Sequence, residues 1–190
     1  GQVAGPIAAP FDEVCEGETP EIERTNVHAV YDAIASHFSA TRYKPWPRVK
    51  SFLDSLPAAS LVADIGCGNG KYMGEGRHFM IGSDRSRPLA LIAASRAAFP
   101  GTVCVGDATY VAMRSGLCDA ALSIAVLHHL STRARRIQAL SELARIVKRG
   151  GRVLVYAWAQ DQEEGSRFSF TAADELVPWT AMHLPITKSE

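Results

Sequence analysis

The glycine-rich run that follows the first apolar segment constrains the fold more than any other feature of this sequence. Leu61 to Ile65 is a short apolar run, and Gly66, Gly68 and Gly70 follow it at every second position. Such a run is typical of a buried parallel strand that leads through a tight turn into a helix. Glycine is favoured where the backbone takes a positive φ or lies close to a ligand. The run therefore predicts a ligand site at the end of a strand.

Strands and helices are predicted to alternate through the rest of the chain. Apolar runs predict further strands at residues 79–83, 102–105, 119–126 and 152–158. Apolar spacing predicts two helices before the sheet, at about residues 21–38 and 47–56, and two between the strands, at about residues 86–99 and 131–149. Ser86 would cap the third helix and Ser131 or Thr132 the fourth, which Gly150 would end. The alternation predicts an α/β fold with a doubly wound, mainly parallel sheet.

Composition limits the class of protein. The 190 residues are 47% hydrophobic and 21% charged, which is enough apolar material for one sizeable core. Twenty Lys and Arg residues balance twenty Asp and Glu residues, so only local basic patches could attract nucleic acid. The four cysteines form no C-x-x-C pair, which favours a reducing cytoplasmic compartment and predicts no bound metal. No apolar run approaches the roughly 20 residues that span a membrane, so we expect a soluble protein without membrane contact.

Three kinds of ligand loop share this glycine pattern, and their spacing separates them. A P-loop needs Ser or Thr after Gly70-Lys71, where Tyr72 stands, and a glycine at the position of Ile65. A dinucleotide-binding loop needs a third glycine at the position of Lys71. The pattern that remains is Asp64-x-Gly66-x-Gly68-x-Gly70.

This pattern resembles the first motif of the class I S-adenosylmethionine-dependent methyltransferases, which have a Rossmann-like fold. The resemblance implies that Asp64 accepts a hydrogen bond from the ammonium of the cofactor, and that Asp84 accepts both ribose hydroxyls. It also implies that Asp107 and the Ala108 backbone bind the adenine edge. The implied residues that bind S-adenosyl-L-methionine are Asp64, Gly66, Cys67, Gly68, Asn69, Gly70, Asp84, Arg85, Asp107, Ala108 and Ala125.

The segment before the sheet narrows the resemblance to one family. The sequence H-F-S-A-T-R-Y-K-P-W-P from His37 to Pro47 is similar to the opening of the eukaryotic tRNA wobble-uridine carboxymethyl methyltransferases. That family includes the methyltransferase domain fused to AlkB-type tRNA hydroxylases. Residues 62–72, 115–119, 123–129 and 156–158 look like the same family. The resemblance implies esterification of the carboxymethyl group on the wobble uridine of tRNA. A small-metabolite methyltransferase and a non-catalytic, methyltransferase-like binding scaffold remain as alternatives.

Arg42 and His128 are the candidate catalytic residues. The planar guanidinium of Arg42 suits a carboxylate, either of the cofactor or of the substrate. His128 and His129 follow the fourth strand, and because adjacent side chains face different ways, which of them is functional stays open. The candidate substrate-binding residues are Lys44, Trp46, His129 and Arg133. A basic rim for phosphate would be formed by Arg42, Lys44, Arg48, Lys50, Arg133, Arg135 and Arg136.

The resemblance also implies a protein partner, a small zinc-binding activator subunit that would form a heterodimer with this chain. In the family's strand order the third strand lies at the sheet edge. Residues 102–105 contain neither proline nor lysine, so this edge could accept a partner strand. The zinc would belong to the partner.

We divide the chain into a flexible leader at residues 1–20 and a single methyltransferase domain at residues 21–190. The domain consists of a helical segment at 21–57, a core sheet at 58–158 and an incomplete C-terminal region at 159–190. We expect the last region to be incomplete because members of the family continue with two further strands.

Overall fold

A five-stranded parallel sheet forms the centre of this computed structural model, which describes residues 18–74, 76–159 and 175–177. The strands are β1 (Leu61–Ile65), β2 (Phe79–Asp84), β3 (Val103–Val105), β4 (Cys118–Ile124) and β5 (Val147–Tyr156). Their order is β3-β2-β1-β4-β5, and every neighbouring pair is parallel. Because the chain moves outward from β1 to β3 and then returns to β4, the sheet is doubly wound, and the predicted fold class is confirmed.

The helices lie before the sheet and between its strands. They are α1 (Glu21–Glu23), a π-helical turn (Arg24–His28), α2 (Ala29–Thr41), α3 (Pro47–Asp54), α4 (Arg87–Arg96), a 3-10 turn (Leu127–His129) and α5 (Arg133–Ile146). Ser86 caps α4 as predicted, and Thr132, not Ser131, caps α5 by accepting the Arg135 N–H at 3.2 Å. None of the helices in the described ranges is long and apolar enough to cross a membrane.

The helix predicted directly after the glycine loop is absent from the described residues, where turns join β1 to β2. Gly66, Gly68 and Gly70 all have positive φ, of 81°, 55° and 72°. A right-handed helix requires negative φ, so no helix can include residues 66–70, and residues 71–74 continue as turns and bends.

Gly150 and Gly151 also differ from their predicted role at the end of the fourth helix. The α5 helix ends at Ile146, and both glycines lie inside β5, beside an irregular register between β4 and β5. A Cβ on Gly151 would lie 2.6 Å from the carbonyl oxygen of Asp119. Gly151 therefore allows the close backbone approach at this irregularity, and Gly150 supplies a positive φ of 77°.

Apolar side chains cover both faces of the sheet. On one face Val62 packs in a cluster with residues of α3 and α4, including Val49, Leu53 and Ala93. On the other face Ala63 packs in a cluster with residues of α5, Leu143 and Ile146. Val62 and Ala63 belong to different clusters because successive side chains along β1 point to opposite faces of the sheet. This packing fixes the carboxyl ends of β1, β2 and β4 at one edge of the sheet.

Two predicted regions fall mostly outside the described residues. The leader at residues 1–20 is described only from residue 18, and the C-terminal region at 159–190 only at 159 and 175–177. Residues 175–177 have no regular secondary structure.

Candidate functional site

A cavity of about 240 Å³ lies at the carboxyl ends of β1, β2 and β4, between the sheet and α2. The predicted site residues that line it are Arg42, Trp46, Asp64, Gly66, Cys67, Gly68, Asn69, Asp84, Arg85, Asp107, Ala108, Ala125 and His129. The predicted site residues outside its lining are Lys44, Gly70, His128 and Arg133. The structure therefore gathers one cluster from five separate sequence segments, four of which lie at strand ends, where ligands bind in an open α/β sheet.

Asp64, near the end of β1, is a fully buried carboxylate of the cavity. Its side chain is 1% exposed, and Oδ2 has no hydrogen-bond partner among the described residues. Burial, with the nearby charge of Asp84, raises the pKa of Asp64 to about 7. An unpartnered buried carboxylate is costly, so this atom is suited to a cationic ligand group.

Asp84, at the end of β2, is held by two backbone donors. Its Oδ2 accepts the Gly68 N–H at 2.7 Å and its Oδ1 accepts the Ser86 N–H at 2.9 Å. A carboxylate has about four acceptor sites, so two remain for hydroxyl groups of a ligand. Burial raises the pKa of Asp84, and the two N–H donors oppose that change.

Asp107 follows β3 and is tied to its own turn. Its Oδ1 accepts both the N–H and the hydroxyl of Thr109, at 2.8 and 2.7 Å, while Oδ2 lies 3.5 Å from a guanidinium nitrogen of Arg135. Burial acts to raise the pKa of Asp107, but these hydrogen bonds and the Arg135 charge hold it below its usual value. Asp107 is therefore an ionised acceptor at neutral pH.

The backbone at the end of β4 is strained where it meets the glycine loop. Ala125 has a φ of 60°, which is unusual for a residue with a Cβ, and its N–H donates to the Tyr156 carbonyl at 2.7 Å. A Cβ on Gly66 would collide with the Val126 side chain. Strain of this kind is concentrated at functional sites, and here it brings two loops together beside the cavity.

Two cationic side chains lie on the side of the cavity near Trp46. Nζ of Lys71 lies 5.6 Å from the Trp46 ring centroid and 5.9 Å from that of Tyr72. Burial lowers the pKa of Lys71, and the charge of Arg42 lowers it further. Lys71 has no carboxylate within 4.0 Å among the described residues. Two neighbouring cations with an aromatic face make this side suitable for an anionic, planar group.

The two adjacent histidines have different environments. His129 lines the cavity, where its Nε2 lies 2.9 Å from the Tyr31 hydroxyl. His128 instead stacks on Trp158 with a centroid distance of 5.0 Å, and its Nδ1 accepts the Trp158 N–H at 3.3 Å. Burial lowers the pKa of His128 to about 4, and burial with the neighbouring His128 lowers that of His129 to about 3. Both rings are therefore neutral at neutral pH, and His129 is the one placed to meet a ligand.

Sequence reasoning missed a buried network beneath α1. Glu23 is 1% exposed and accepts hydrogen bonds from Nε of Arg135 at 3.0 Å and from the N–H and hydroxyl of Ser131, both at 2.8 Å. Arg135, which we expected in an exposed basic rim, is therefore an internal ion-pair partner with a side chain only 13% exposed. No local signal could have revealed this pair, because its members are 112 positions apart.

Other cavity residues that the sequence did not single out as site residues come from the helical segment, from α4 and from the segments around the strand ends. They are Glu23, Val27, His28, Tyr31, Phe38, Lys71, Tyr72, Ser86, Leu89, Gly106, Ile124, Val126, Leu130 and Trp158. Tyr31 and Phe38 lie in the first predicted helix, and the apolar spacing that predicted this helix carried no sign that a cavity lay beneath it.

Comparisons with known proteins agree with this fold. A family model described as a methyltransferase domain matches residues 63–155. Among solved structures, Haemonchus contortus phosphoethanolamine N-methyltransferase 1, in complex with phosphoethanolamine and S-adenosylhomocysteine, superposes with a TM-score of 0.61 at 18% identity, over 87% of this chain and 38% of that chain. A Haloferax volcanii complex of the Trm112 methyltransferase activator with a methyltransferase gives 0.57 at 22% identity, over 68% and 59%. The fold and the strand-end carboxylates define a class I methyltransferase.

Sequence relatives identify the family within that class. The Mus musculus tRNA (carboxymethyluridine(34)-5-O)-methyltransferase ALKBH8 is 51% identical over 169 residues, which are 84% of this chain and 25% of that protein. The Schizosaccharomyces pombe tRNA (carboxymethyluridine(34)-5-O)-methyltransferase is 47% identical over 162 residues, 84% of this chain and 69% of that protein. The chain belongs to the family of tRNA (carboxymethyluridine(34)-5-O)-methyltransferases, as its motifs predicted. It spans about a quarter of the length of the first curated relatives that it matches.

Proposed function

We propose that this chain esterifies the carboxymethyl group on the wobble uridine of tRNA, with S-adenosyl-L-methionine as the methyl donor. The observation that carries the proposal is the row of carboxylates along one cavity. Asp64, Asp84 and Asp107 lie at the ends of three adjacent strands, β1, β2 and β3. Membership of the family supports the choice of tRNA as substrate.

The residues present fit the cofactor. The unpartnered Oδ2 of Asp64 is suited to its ammonium group, the remaining acceptor capacity of Asp84 to its two ribose hydroxyls, and Asp107 with the Ala108 backbone to its adenine. When bound, this group supplies a methyl group on a positively charged sulfur.

The proposed chemistry requires the protein to position its substrate and to exclude water. A carboxylate is already a nucleophile at neutral pH, so its esterification needs no general base and moves no proton. Arg42 and Lys71 supply positive charge for carboxylates, and the Trp46 ring supplies an aromatic face. A neutral His129 can donate a hydrogen bond without protonating the nucleophile.

Labelled methyl groups are expected to enter tRNA as base-labile esters. The assay combines the full-length protein, any required partner, S-adenosylmethionine and tRNA that carries carboxymethyluridine at the wobble position. Transfer should fall steeply with added salt, because phosphate contacts are screened. Mass spectrometry of the nucleosides identifies the product, and tRNA without the carboxymethyl group is the matched control. Transfer to small acids in the absence of tRNA would contradict the proposal and favour a metabolite methyltransferase.

Cofactor affinity is expected to rise with pH below neutrality. Ionised Asp64 binds the ammonium, but its pKa is raised to about 7, so at lower pH a proton must leave before the ligand binds. Because binding is linked to loss of the Asp64 proton, the affinity for S-adenosylhomocysteine should rise about tenfold from pH 5.5 to 7. This pH range lies below the range in which the amine of the ligand titrates. Calorimetry measures both the affinity and the proton release. Asp64→Asn should bind more weakly and without this dependence, and a dependence that persists in Asp64→Asn would contradict the assignment.

We further propose that the β3 edge binds a small zinc-binding activator subunit. In the described part of the chain β3 pairs only with β2, and Cys104 and Val105 are exposed. Val103, the first residue of β3, is partly buried and packs against the core. Two things support the proposal: the unpaired backbone of this edge, and the activator complex among the structures that share the fold. Zinc in the partner is an implication of the family.

Val105→Lys is expected to weaken co-purification with the co-expressed activator, because it places a charge on the 50% exposed position of the β3 edge. Activity of the complex should fall with the amount of bound partner, while the unbound chain keeps its cofactor affinity. The matched control is Val153→Lys, a 40% exposed valine on β5 at the opposite edge of the described sheet. Equal loss of partner in both variants, or none in either, would contradict the assignment of β3.

A further inference from the structure

A hydrogen bond joins α2 to the 3-10 turn after β4 inside the cavity. The Tyr31 hydroxyl lies 2.9 Å from Nε2 of His129, and the two rings meet edge to face with their centroids 5.2 Å apart. Both side chains line the cavity. The residues are 98 positions apart, so only the tertiary structure brings them together.

The protonation states of the pair follow from their surroundings. Burial raises the pKa of Tyr31 to about 12 and lowers that of His129 to about 3. At neutral pH the tyrosine therefore keeps its proton and the imidazole is neutral, with a proton on only one of its nitrogens.

The direction of the hydrogen bond decides which nitrogen that is. Among the described residues, Nε2 of His129 is the only hydrogen-bond partner of the Tyr31 hydroxyl. Donation by Tyr31 satisfies its buried proton and requires Nε2 to be the acceptor, which leaves the imidazole proton on Nδ1. Among the described residues, the hydrogen bond of the His129 ring is made through Nε2, so the N–H at Nδ1 can donate to a group bound in the cavity.

We propose that Tyr31 is a positioning residue, which holds His129 as the Nδ1–H tautomer so that this N–H donates to the carboxylate of the substrate nucleotide. This inference rests on the proposed function, because the carboxymethyl group is what makes the target of His129 an anion.

The chemistry favours a neutral donor held in this way. A neutral N–H can hold one carboxylate oxygen and leave the other free to form the new oxygen–carbon bond, whereas an imidazolium could transfer its proton and weaken the nucleophile. Arg42, the cation suited to carboxylates, lines the same cavity as the pair. Orientation of the donor should affect the chemical step more than cofactor binding.

The tautomer can be measured directly by nitrogen-15 NMR of the histidine rings. We expect the spectrum of His129 to show a proton on Nδ1 in the native protein and a mixture of tautomers in Tyr31→Phe. Tyr72→Phe is the matched control, because the Tyr72 hydroxyl lies in the same cavity but accepts the Trp46 N–H, at 3.3 Å. It should leave the His129 spectrum unchanged. A proton on Nε2 in the native protein would overturn the inference.

Kinetics test the role of the pair. Tyr31→Phe should lower kcat on tRNA about tenfold, as for loss of one orienting hydrogen bond, and leave the dissociation constant of the cofactor within about twofold. His129→Asn, whose amide nitrogen can take the place of Nδ1, should retain more activity than His129→Gln, whose amide reaches the place of Nε2. Adding Tyr31→Phe to His129→Asn should cost little more, because the amide needs no tautomer control.

The outcomes separate this inference from the proposed function. Unchanged kcat in Tyr31→Phe, or greater activity in His129→Gln than in His129→Asn, would overturn the inference alone. A native protein that binds the cofactor, shows the Nδ1 proton and methylates no tRNA would overturn the proposed function and, with it, the carboxylate contact of His129.

Discussion

Replacing Gly70 by alanine is expected to lower the free energy of unfolding by about 2–5 kcal/mol, from backbone strain and overpacking together. Gly70 has a φ of 72°, and a Cβ there would lie 2.7 Å from the Cα of Ala93 and 2.9 Å from its Cβ. Because the nearest atom belongs to the α4 backbone, a rotamer change cannot relieve the clash. Urea unfolding followed by circular dichroism measures the change.

Gly76→Ala is the matched control for this prediction. Gly76 also has a positive φ, of 65°, but a Cβ there would meet nothing within 4 Å. It should cost only the conformational strain, about 1–2 kcal/mol. Equal losses in the two variants would show that α4 does not pack against Gly70. The assignment of Gly70 to the cofactor site stays a prediction. Its position outside the cavity lining does not support that assignment.

Asp84→Ala is expected to weaken cofactor binding by about 1–3 kcal/mol, a five- to 150-fold rise in the dissociation constant, because hydrogen bonds to a charged acceptor are lost. The carboxylate would accept the ribose hydroxyls, and it also holds the glycine loop through the Gly68 N–H at 2.7 Å. Calorimetric titration with S-adenosylmethionine measures the loss. Asp54→Ala, which removes an exposed carboxylate of α3 paired with Lys50, is the control and should bind normally.

A ligand analogue separates the direct contact from the loop contact of Asp84. S-adenosylhomocysteine without its ribose hydroxyls should bind the native protein more weakly than the parent compound. In Asp84→Ala the two ligands should bind almost equally, because the acceptor for the hydroxyls has gone. An undiminished preference for the hydroxyls in the variant would place the ribose elsewhere.

The sheet and its ligand edge could be predicted because their signals are local. Apolar runs of strand length followed by glycine or aspartate marked β1, β2 and β3, and parallel strands necessarily bring their carboxyl ends to one edge. Asp64, Asp84 and Asp107 therefore belong to one cavity whatever the details of packing. The motifs around them also identified the family.

The same local reasoning erred where glycine has more than one use. Positive φ keeps residues 66–70 out of any helix, and turns follow where we expected a helix after β1. Gly150 and Gly151, expected to end a helix, serve the irregular pairing of β5 with β4. Backbone conformation sets the structure of the glycine loop, and pairing with the neighbouring strand sets that of Gly150 and Gly151. The spacing of apolar residues predicts neither of these.

The sequence by itself determined that an acidic residue lies at or near the end of each of the first three strands. A short-range pattern and the geometry of parallel sheets are sufficient to place these three residues at one edge of the sheet. Only the tertiary structure decided which other side chains join the site. Glu23 meets Arg135 and Tyr31 meets His129 across about a hundred positions. Such contacts, and the burial that leaves Oδ2 of Asp64 without a partner, depend on how helices pack over the sheet, which no local pattern records.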